Sequence, residues 1–255
     1  MLAFEHGRRA TRGAREYQED TATVQTIAPA DGAGSDLIAV LADGMGGHIG
    51  GALASKTICD QFVSAFQAAN GSVSGRLQAS LGAANDSLAK KVAADPMLSG
   101  MGSTVIGTAF TGAGLEWVSV GDSPLYLFRR GEMAVLNEDH SLAPELDRMA
   151  AAGQISLEQA KQDPRRHMLR SAVTGEELDL VDSSKKALVL EPDDVVILAS
   201  DGLNTLDDDE IERVIKGYCD DGSDAIASAL IRAVEACREP HQDNATVVAI
   251  KVASA

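Results

Sequence analysis

The sequence predicts an α+β fold in which antiparallel sheets are covered by helices. Residues 102–136 hold short strand-like runs too close together for helical crossovers, and pairs of amphipathic helices lie on either side of that stretch. Two further apolar runs read as buried strands, and each ends in Asp-Gly, at Asp43-Gly44 and Asp201-Gly202. This alternation fits layered antiparallel sheets better than a doubly wound parallel sheet.

Residues 7–20 are polar and basic, and Thr21–Ile27 then alternates as a strand, which puts Glu19 and Asp20 at its beginning. Leu37–Ala42 is apolar and rich in branched residues, as a strand covered on both faces requires. Residues 50–69 set Ile58, Cys59, Phe62, Val63 and Phe66 on one helical stripe, and Leu77, Leu81, Ala84, Leu88 and Val92 form the stripe of a second helix. Runs at 103–110, 115–120, 125–129 and 133–136, separated by Gly-containing turns, imply an antiparallel meander. Helical pattern returns over 141–162, where Pro144 suits a first turn, Gly153 a helix end, and Ser156 with Gln159 a capping box. Residues 163–184 are polar and irregular and read as a flap. Asp194–Ser200 is the second buried-type strand; Asp207, Asp208 and Asp209 cap a helix; Ser223–Cys237 is a helix; and Ala245–Val252 is the last strand.

Composition excludes several functions. The net charge of -16 opposes binding to nucleic acid or to an anionic membrane. No run approaches the roughly 20 apolar residues of a membrane span, and the start, Met1-Leu-Ala-Phe-Glu-His6, reaches a charge too early for a signal peptide, so a cytoplasmic protein is expected. Cys59, Cys219 and Cys237 lack close metal-type spacing and read as reduced packing residues.

The carboxylates carry the functional signal. Asp43, Asp122 and Asp201 follow strands, whereas Asp20 and Asp243 precede them, so in antiparallel neighbours all of these can converge at one sheet edge. Such crowding is unfavourable unless hard cations neutralise it, and oxygen-only ligands favour magnesium or manganese over zinc. Around Asp43, Gly44, Gly46 and Gly47 permit close approach of another group to the main chain. For an isolated Asp-Gly, a strand-end turn with a solvated carboxylate is the simpler reading; the repetition of the pattern argues against it.

Arg15 with Glu19-Asp20, Asp43-Gly-Met-Gly-Gly-His48, Met101-Gly-Ser-Thr104, Gly121-Asp-Ser123, Asp139-His-Ser141, Ser200-Asp-Gly202 and Asp243-Asn-Ala-Thr246 resemble, in order, the motifs of the metal-dependent (type 2C, or PPM) protein serine/threonine phosphatases. The resemblance spans about residues 7–252 and is closest in form to the bacterial stand-alone branch. It implies a central antiparallel β-sandwich flanked by helical layers on both sides, as a single domain over residues 1–255 with its flap at about 163–184. It also implies hydrolysis of phosphoserine and phosphothreonine by direct attack of a water or hydroxide bridging two Mg2+ or Mn2+ ions.

Residue by residue, the resemblance makes Asp43 the bridging carboxylate, with the Gly44 carbonyl on one ion and Asp201 and Asp243 on the other. Glu19 would act mainly through metal-bound water, Asp20 would support the site, and Asp122 would join Asp201 around a third, weaker ion. Arg15 would hold the phosphate, for which a guanidinium fork is suited; its plain alternative is a surface pair with Glu16 or Glu19. His48 would protonate the leaving oxygen, or else act as a hydrogen-bond donor behind the site. His140 reads as structural. Pro124 stands where the family often has Arg, which puts the geometry near Asp122 in question. Arg165, Arg166 and Arg170 can contact a phosphoprotein, although a solvated basic loop is the plainer reading. The expected partners are phosphorylated proteins, opposite a cognate kinase, with a monomer as the expected state. A catalytically silent phosphoprotein-binding module of the same fold is the alternative, and the acidic charge weighs against a two-metal nuclease.

Overall fold

The computed structural model describes residues 2–27, 36–47 and 49–254. Two antiparallel sheets pack face to face. In spatial order, the first holds β1 (Leu2–Thr11), β11 (Ala245–Ser254), β10 (Val195–Ala199), β7 (Leu125–Arg129) and β8 (Glu132–Val135). The second holds β2 (Asp20–Ile27), β3 (Asp36–Met45), β5 (Val105–Thr111), β6 (Gly114–Val120) and β9 (Asp182–Ser183), with β4 (Gly102–Ser103) paired to the end of β3. Helices α1 (Ile49–Ala68) and α2 (Val73–Ala94) cover the outer face of the second sheet, and α5 (Asp208–Tyr218) and α6 (Ser223–Cys237) cover that of the first. The short α3 (Ala143–Ala151) and α4 (Leu157–Gln162) lie in the long connection from β8 to β9.

The two-faced strand expected at Leu37–Ala42 explains this layering. Leu37, Ala39 and Leu41 join the core between the sheets, where they meet Phe110, Leu127 and Val248; Ile38, Val40 and Ala42 face the helices, where they meet Ile58, Phe62 and Leu77. A strand with apolar side chains at every position needs a partner layer on each face, and the αββα arrangement supplies both. Local signals act as expected elsewhere. Pro144 stands in the first turn of α3, Ser156 and Gln159 form the capping box of α4, and Asp207 with Glu210 forms another at α5.

Several expectations need correction. Residues 102–136 are not one meander. The β5–β6 hairpin belongs to the second sheet and the β7–β8 hairpin to the first, with the chain crossing between them at Gly121-Asp122-Ser123-Pro124. Pro124, which has no N–H to give, needs none there, and its carbonyl accepts from Ala199 N at 3.1 Å. Residues 7–11, read only as polar and basic, complete β1, an edge strand paired in register with β11 from Leu2↔Ser254 to Thr11↔Ala245. Its arginines were uninformative because an edge strand tolerates charge on its solvent side. Cys59 packs in the core as expected of a packing residue, but Cys237, at the end of α6, is exposed.

Gly107, in the middle of β5, lets the Phe62 ring lie against the sheet: a Cβ there would fall inside contact with the ring atoms, and Phe62 is fully buried. Gly107→Ala should therefore destabilise the protein by about 1–3 kcal/mol through overpacking. In thermal melts, Phe62→Leu combined with Gly107→Ala should lose clearly less than the two single losses added; strict additivity would mean that this contact is not the cause.

Candidate active site

Five carboxylates meet at one end of the sandwich, drawn from both sheets rather than from one sheet edge. Asp20 opens β2 directly opposite Asp43 of β3. Asp122 follows β6, Asp201 follows β10, and Asp243 stands just before β11. A cleft of about 710 Å³ is lined there by Arg15, Glu19, Asp43, Asp122, Asp201 and Asp243, with the Gly44–Gly47 backbone on one side and residues of the 167–179 segment on another. Asp20 is buried behind this wall, 8% exposed.

Close backbone packing sets the positions. Gly44 and Gly51, in the first turn of α1, approach so closely that a Cβ on Gly44 would overlap the Gly51 carbonyl, and one on Gly51 would overlap the Glu19 carboxylate. Gly44 N donates to Glu19 O at 3.2 Å, and Ser55 Oγ donates to the same carbonyl at 2.5 Å, which ties the Glu19 backbone to β3 and α1. Ser103 Oγ donates to Asp43 O at 2.7 Å, while Asp43 N donates to Thr104 Oγ1 at 3.1 Å.

Two side chains join the sheets. Ser200 Oγ donates to Asp20 Oδ2 at 2.8 Å and accepts from Thr246 N at 2.9 Å, so a residue of the first sheet fixes a carboxylate of the second. Asn244 Oδ1 accepts from Glu19 N at 2.7 Å, and its Nδ2 donates to Arg12 O and Tyr17 O, each at 3.0 Å. One amide thus shapes the loop that carries Arg15 and Glu19. Ser200, Asn244 and Thr246 lie inside the sequence motifs, but only the structure gives them roles, because their partners are backbone groups and a carboxylate far away in the chain. Ser55 has no sequence signal.

Electrostatic crowding is severe. Asp20 is pushed up to about 6, mainly by burial, with the hydrogen bond from Ser200 resisting and the charges of Asp201 and Asp243 adding to the rise. Burial, then the charges of Asp20, Asp201, Asp122 and Asp243, hold the Asp43 carboxyl well above the ordinary carboxylate range. Asp122 rises to about 7 through burial and the charges of Asp201 and Asp139. Asp201 also rises, through burial and Asp243, against a hydrogen bond shared with Asp43.

The residues fit hard divalent cations. Asp20 Oδ1 and Asp201 Oδ1 are buried with no hydrogen-bond partner, the donors are all oxygen, and Asp20, Asp43, Asp122 and Asp201 are each crowded by neighbouring carboxylate charge. Side-chain orientation stops short of a finished cage. Among the described residues no group of three or more His, Cys, Asp or Glu is already disposed to hold an ion, and Asp243 Oδ2 accepts from Arg15 Nη2 at 2.6 Å. Arg15 thus lines the cleft paired with Asp243, not with Glu16 or Glu19 as its plain alternative supposed. His48 lies outside the described residues. His140 is buried, and its Nδ1 accepts from Gly121 N at 3.2 Å, which holds the crossing that bears Asp122. Arg165 pairs with Asp163, and Arg166 with Asp147, so of the three basic residues in that stretch only Arg170 lines the cleft. His167, not anticipated from sequence, lines it too.

This architecture and motif order are shared with known proteins. The family model "Protein phosphatase 2C" matches residues 12–247. The serine/threonine protein phosphatase PstP of Mycobacterium tuberculosis is 32% identical over 223 residues, 86% of this chain but 41% of PstP, so the chain spans less than half the length of that relative. The serine/threonine phosphatase stp of Listeria innocua is 31% identical over 185 residues, 70% of this chain and 71% of its own. The crystal structure of Mycobacterium tuberculosis PstP superposes with a TM-score of 0.81 at 28% identity and full coverage of both chains, and a PstP catalytic domain in complex with two manganese ions does so with a TM-score of 0.79. With the family pattern matched over residues 12–247 and the αββα architecture shared along the whole chain, this protein belongs to the protein phosphatase 2C family.

Proposed function

We propose that this protein is a serine/threonine protein phosphatase that hydrolyses phosphoserine and phosphothreonine with the help of two manganese or magnesium ions. The observation that carries this reading is the convergence of buried, mutually repelling carboxylates from both sheets beside an accessible guanidinium. Asp43, Asp201, Asp243 and the Gly44 carbonyl would hold the ions, with Glu19 and Asp20 in support and Asp122 beside Asp201 for a weaker third. When bound, the ions supply positive charge to the phosphate and acidify water at the site. Arg15 is 53% exposed at its side chain and spends one donor on Asp243, which leaves further N–H groups of its fork for phosphate oxygens. In the reaction, water attacks phosphorus, the bond from phosphorus to the seryl or threonyl oxygen breaks, and that oxygen takes up a proton, for which His48 is the assigned donor. The segment at about 163–184 serves as the flap over one side of the cleft, within a single domain over residues 1–255.

The substrates are phosphoproteins, opposite a cognate kinase in the cytoplasm, with the enzyme acting as a monomer. Among the described residues no helix is long and apolar enough to cross a membrane. Phosphate release from a phosphothreonine peptide, assayed in manganese and then in chelator, tests the assignment. Release that stops in chelator supports it; a silent binding module would bind the peptide and release nothing.

Asp201→Asn should lower turnover at saturating manganese by far more than tenfold, that is by well over ~1.4 kcal/mol in barrier terms. In chelator the same variant should melt higher than the wild type, because burial and neighbouring charges disfavour the ionised form of this carboxyl, and an amide removes one of the repelling charges. Retention of more than about a tenth of the activity would remove Asp201 from the metal site.

His48→Ala should slow phosphopeptide hydrolysis by about 10²–10⁴-fold while sparing an aryl phosphate, whose leaving group needs no proton. Equal losses on both substrates would make His48 a positioning residue. Asp122→Ala should keep its affinity for the first two ions yet need more manganese for its residual turnover; a lower melting temperature with unchanged manganese dependence would reduce Asp122 to a turn-capping role.

A further inference from the structure

A second depression, of about 390 Å³, adjoins the cleft across a ridge made by Gly46 and Gly47, which line both. Its far wall is the short 3-10 turn Pro96–Leu98 that follows α2, and its lining includes Met97, Leu98 and Met101. The turn is held by its own bonds: Asp95 Oδ1 accepts from Met97 N at 3.0 Å, Asp95 O accepts from Leu98 N at 3.0 Å, and Leu98 O accepts from Met101 N at 3.1 Å. Met97 therefore stands on a fixed backbone with its side chain 90% exposed, whereas Met101 is buried and gives the depression an apolar wall. Two methionines make a surface that adapts to differently shaped apolar groups. Apart from its chain neighbours, a Cβ on Gly47 would meet no described atom within 4 Å.

We propose that this depression is a subsite for an apolar side chain, leucine- or methionine-like, close in sequence to the phosphorylated residue of the substrate. The inference rests on the phosphatase reading above. Continuity with the cleft selects the occupant: a peptide with its phosphate at Arg15 can pass over the Gly46-Gly47 ridge, whose described residues carry no side chain, and the first apolar surface among the described residues beyond it is Met97, Leu98 and Met101. The subsite would thus add sequence preference to a centre that otherwise recognises only a phosphate ester.

Phosphothreonine peptides carrying Leu or Ala at successive flanking positions, assayed with the whole protein in manganese, test this. The Leu-to-Ala ratio of kcat/KM should reach about tenfold at one position, the scale expected when a pocket discriminates by a few methyl groups. Met97→Ser, and the pair Met97→Ser/Leu98→Ser, should bring that ratio close to 1. Met168→Ser, which alters another exposed methionine lining the cleft, should leave it unchanged. The proposal is overturned if no position favours Leu, if the preference survives in the Met97/Leu98 pair, or if Met168→Ser is the change that abolishes it. Aryl phosphate turnover, which involves no flanking residue, separates the two readings. If it persists without a Leu preference, the subsite alone fails; if neither aryl phosphate nor peptide is hydrolysed, the phosphatase reading fails and the subsite with it.

Discussion

The constraint on which this structure depends is the cost of holding Asp20, Asp43, Asp122, Asp201 and Asp243 together in a partly dry pocket. Carboxylates so placed repel one another, and burial strips Asp20, Asp43, Asp122 and Asp201 of water, so the fold must force them into place with favourable contacts made elsewhere. Three apolar layers do this: one between the sheets and one under each helical pair. The acids themselves stand at strand ends, where a rigid backbone resists relaxation. Ser200, itself held by the Thr246 N–H, then pins Asp20 across the sheet interface.

Chemistry and recognition are divided accordingly. Groups that would hold cations sit on or beside β2, β3, β10 and β11, whose packed faces fix them within narrow limits. The cleft-lining residues Arg15, His167 and Arg170 belong to irregular connections tied to the scaffold by a few hydrogen bonds, among them those of Asn244 with Glu19 N and of Arg170 N with His140 O. Such connections tolerate substitution far better than the strands do. A family built this way can keep its reacting centre while the rim of the cleft changes.

Much of this was legible in the residues, and the part that was not has a physical pattern. Strongly periodic segments such as Ser223–Cys237 carry their own assignment, and so does the doubly buried run of β3. Strand β1 was hidden because its arginines face solvent at a sheet edge, and because what fixes it is pairing with β11, more than two hundred residues away in the chain. The crossing at Gly121–Pro124 looks in sequence like a turn within one sheet, since a turn and a change of sheet demand similar residues. In the site, acidic residues at strand ends could be picked out by position alone. The tasks of Ser55, Ser200 and Asn244 could not, because they bond to atoms whose nearness only the tertiary fold creates.

The pairing of β1 with β11 also bears on biosynthesis. Leu2–Thr11 is synthesised more than two hundred residues before Ala245–Ser254, its strand partner among the described residues, and Asn244, which shapes the Arg12–Glu19 loop, precedes that partner by a single residue. Closing so long a loop is slow and entropically costly. A nascent chain can assemble the β2–β3–β5–β6 sheet with α1 and α2 well before then, but Asp201, Asp243 and the Arg15 loop remain apart until the last strand arrives. A chain ending before residue 244 would keep β10, β7 and β8 of the first sheet but lose the strand that holds β1 and the amide that shapes the Arg15 loop, and so would lack the assembled cleft.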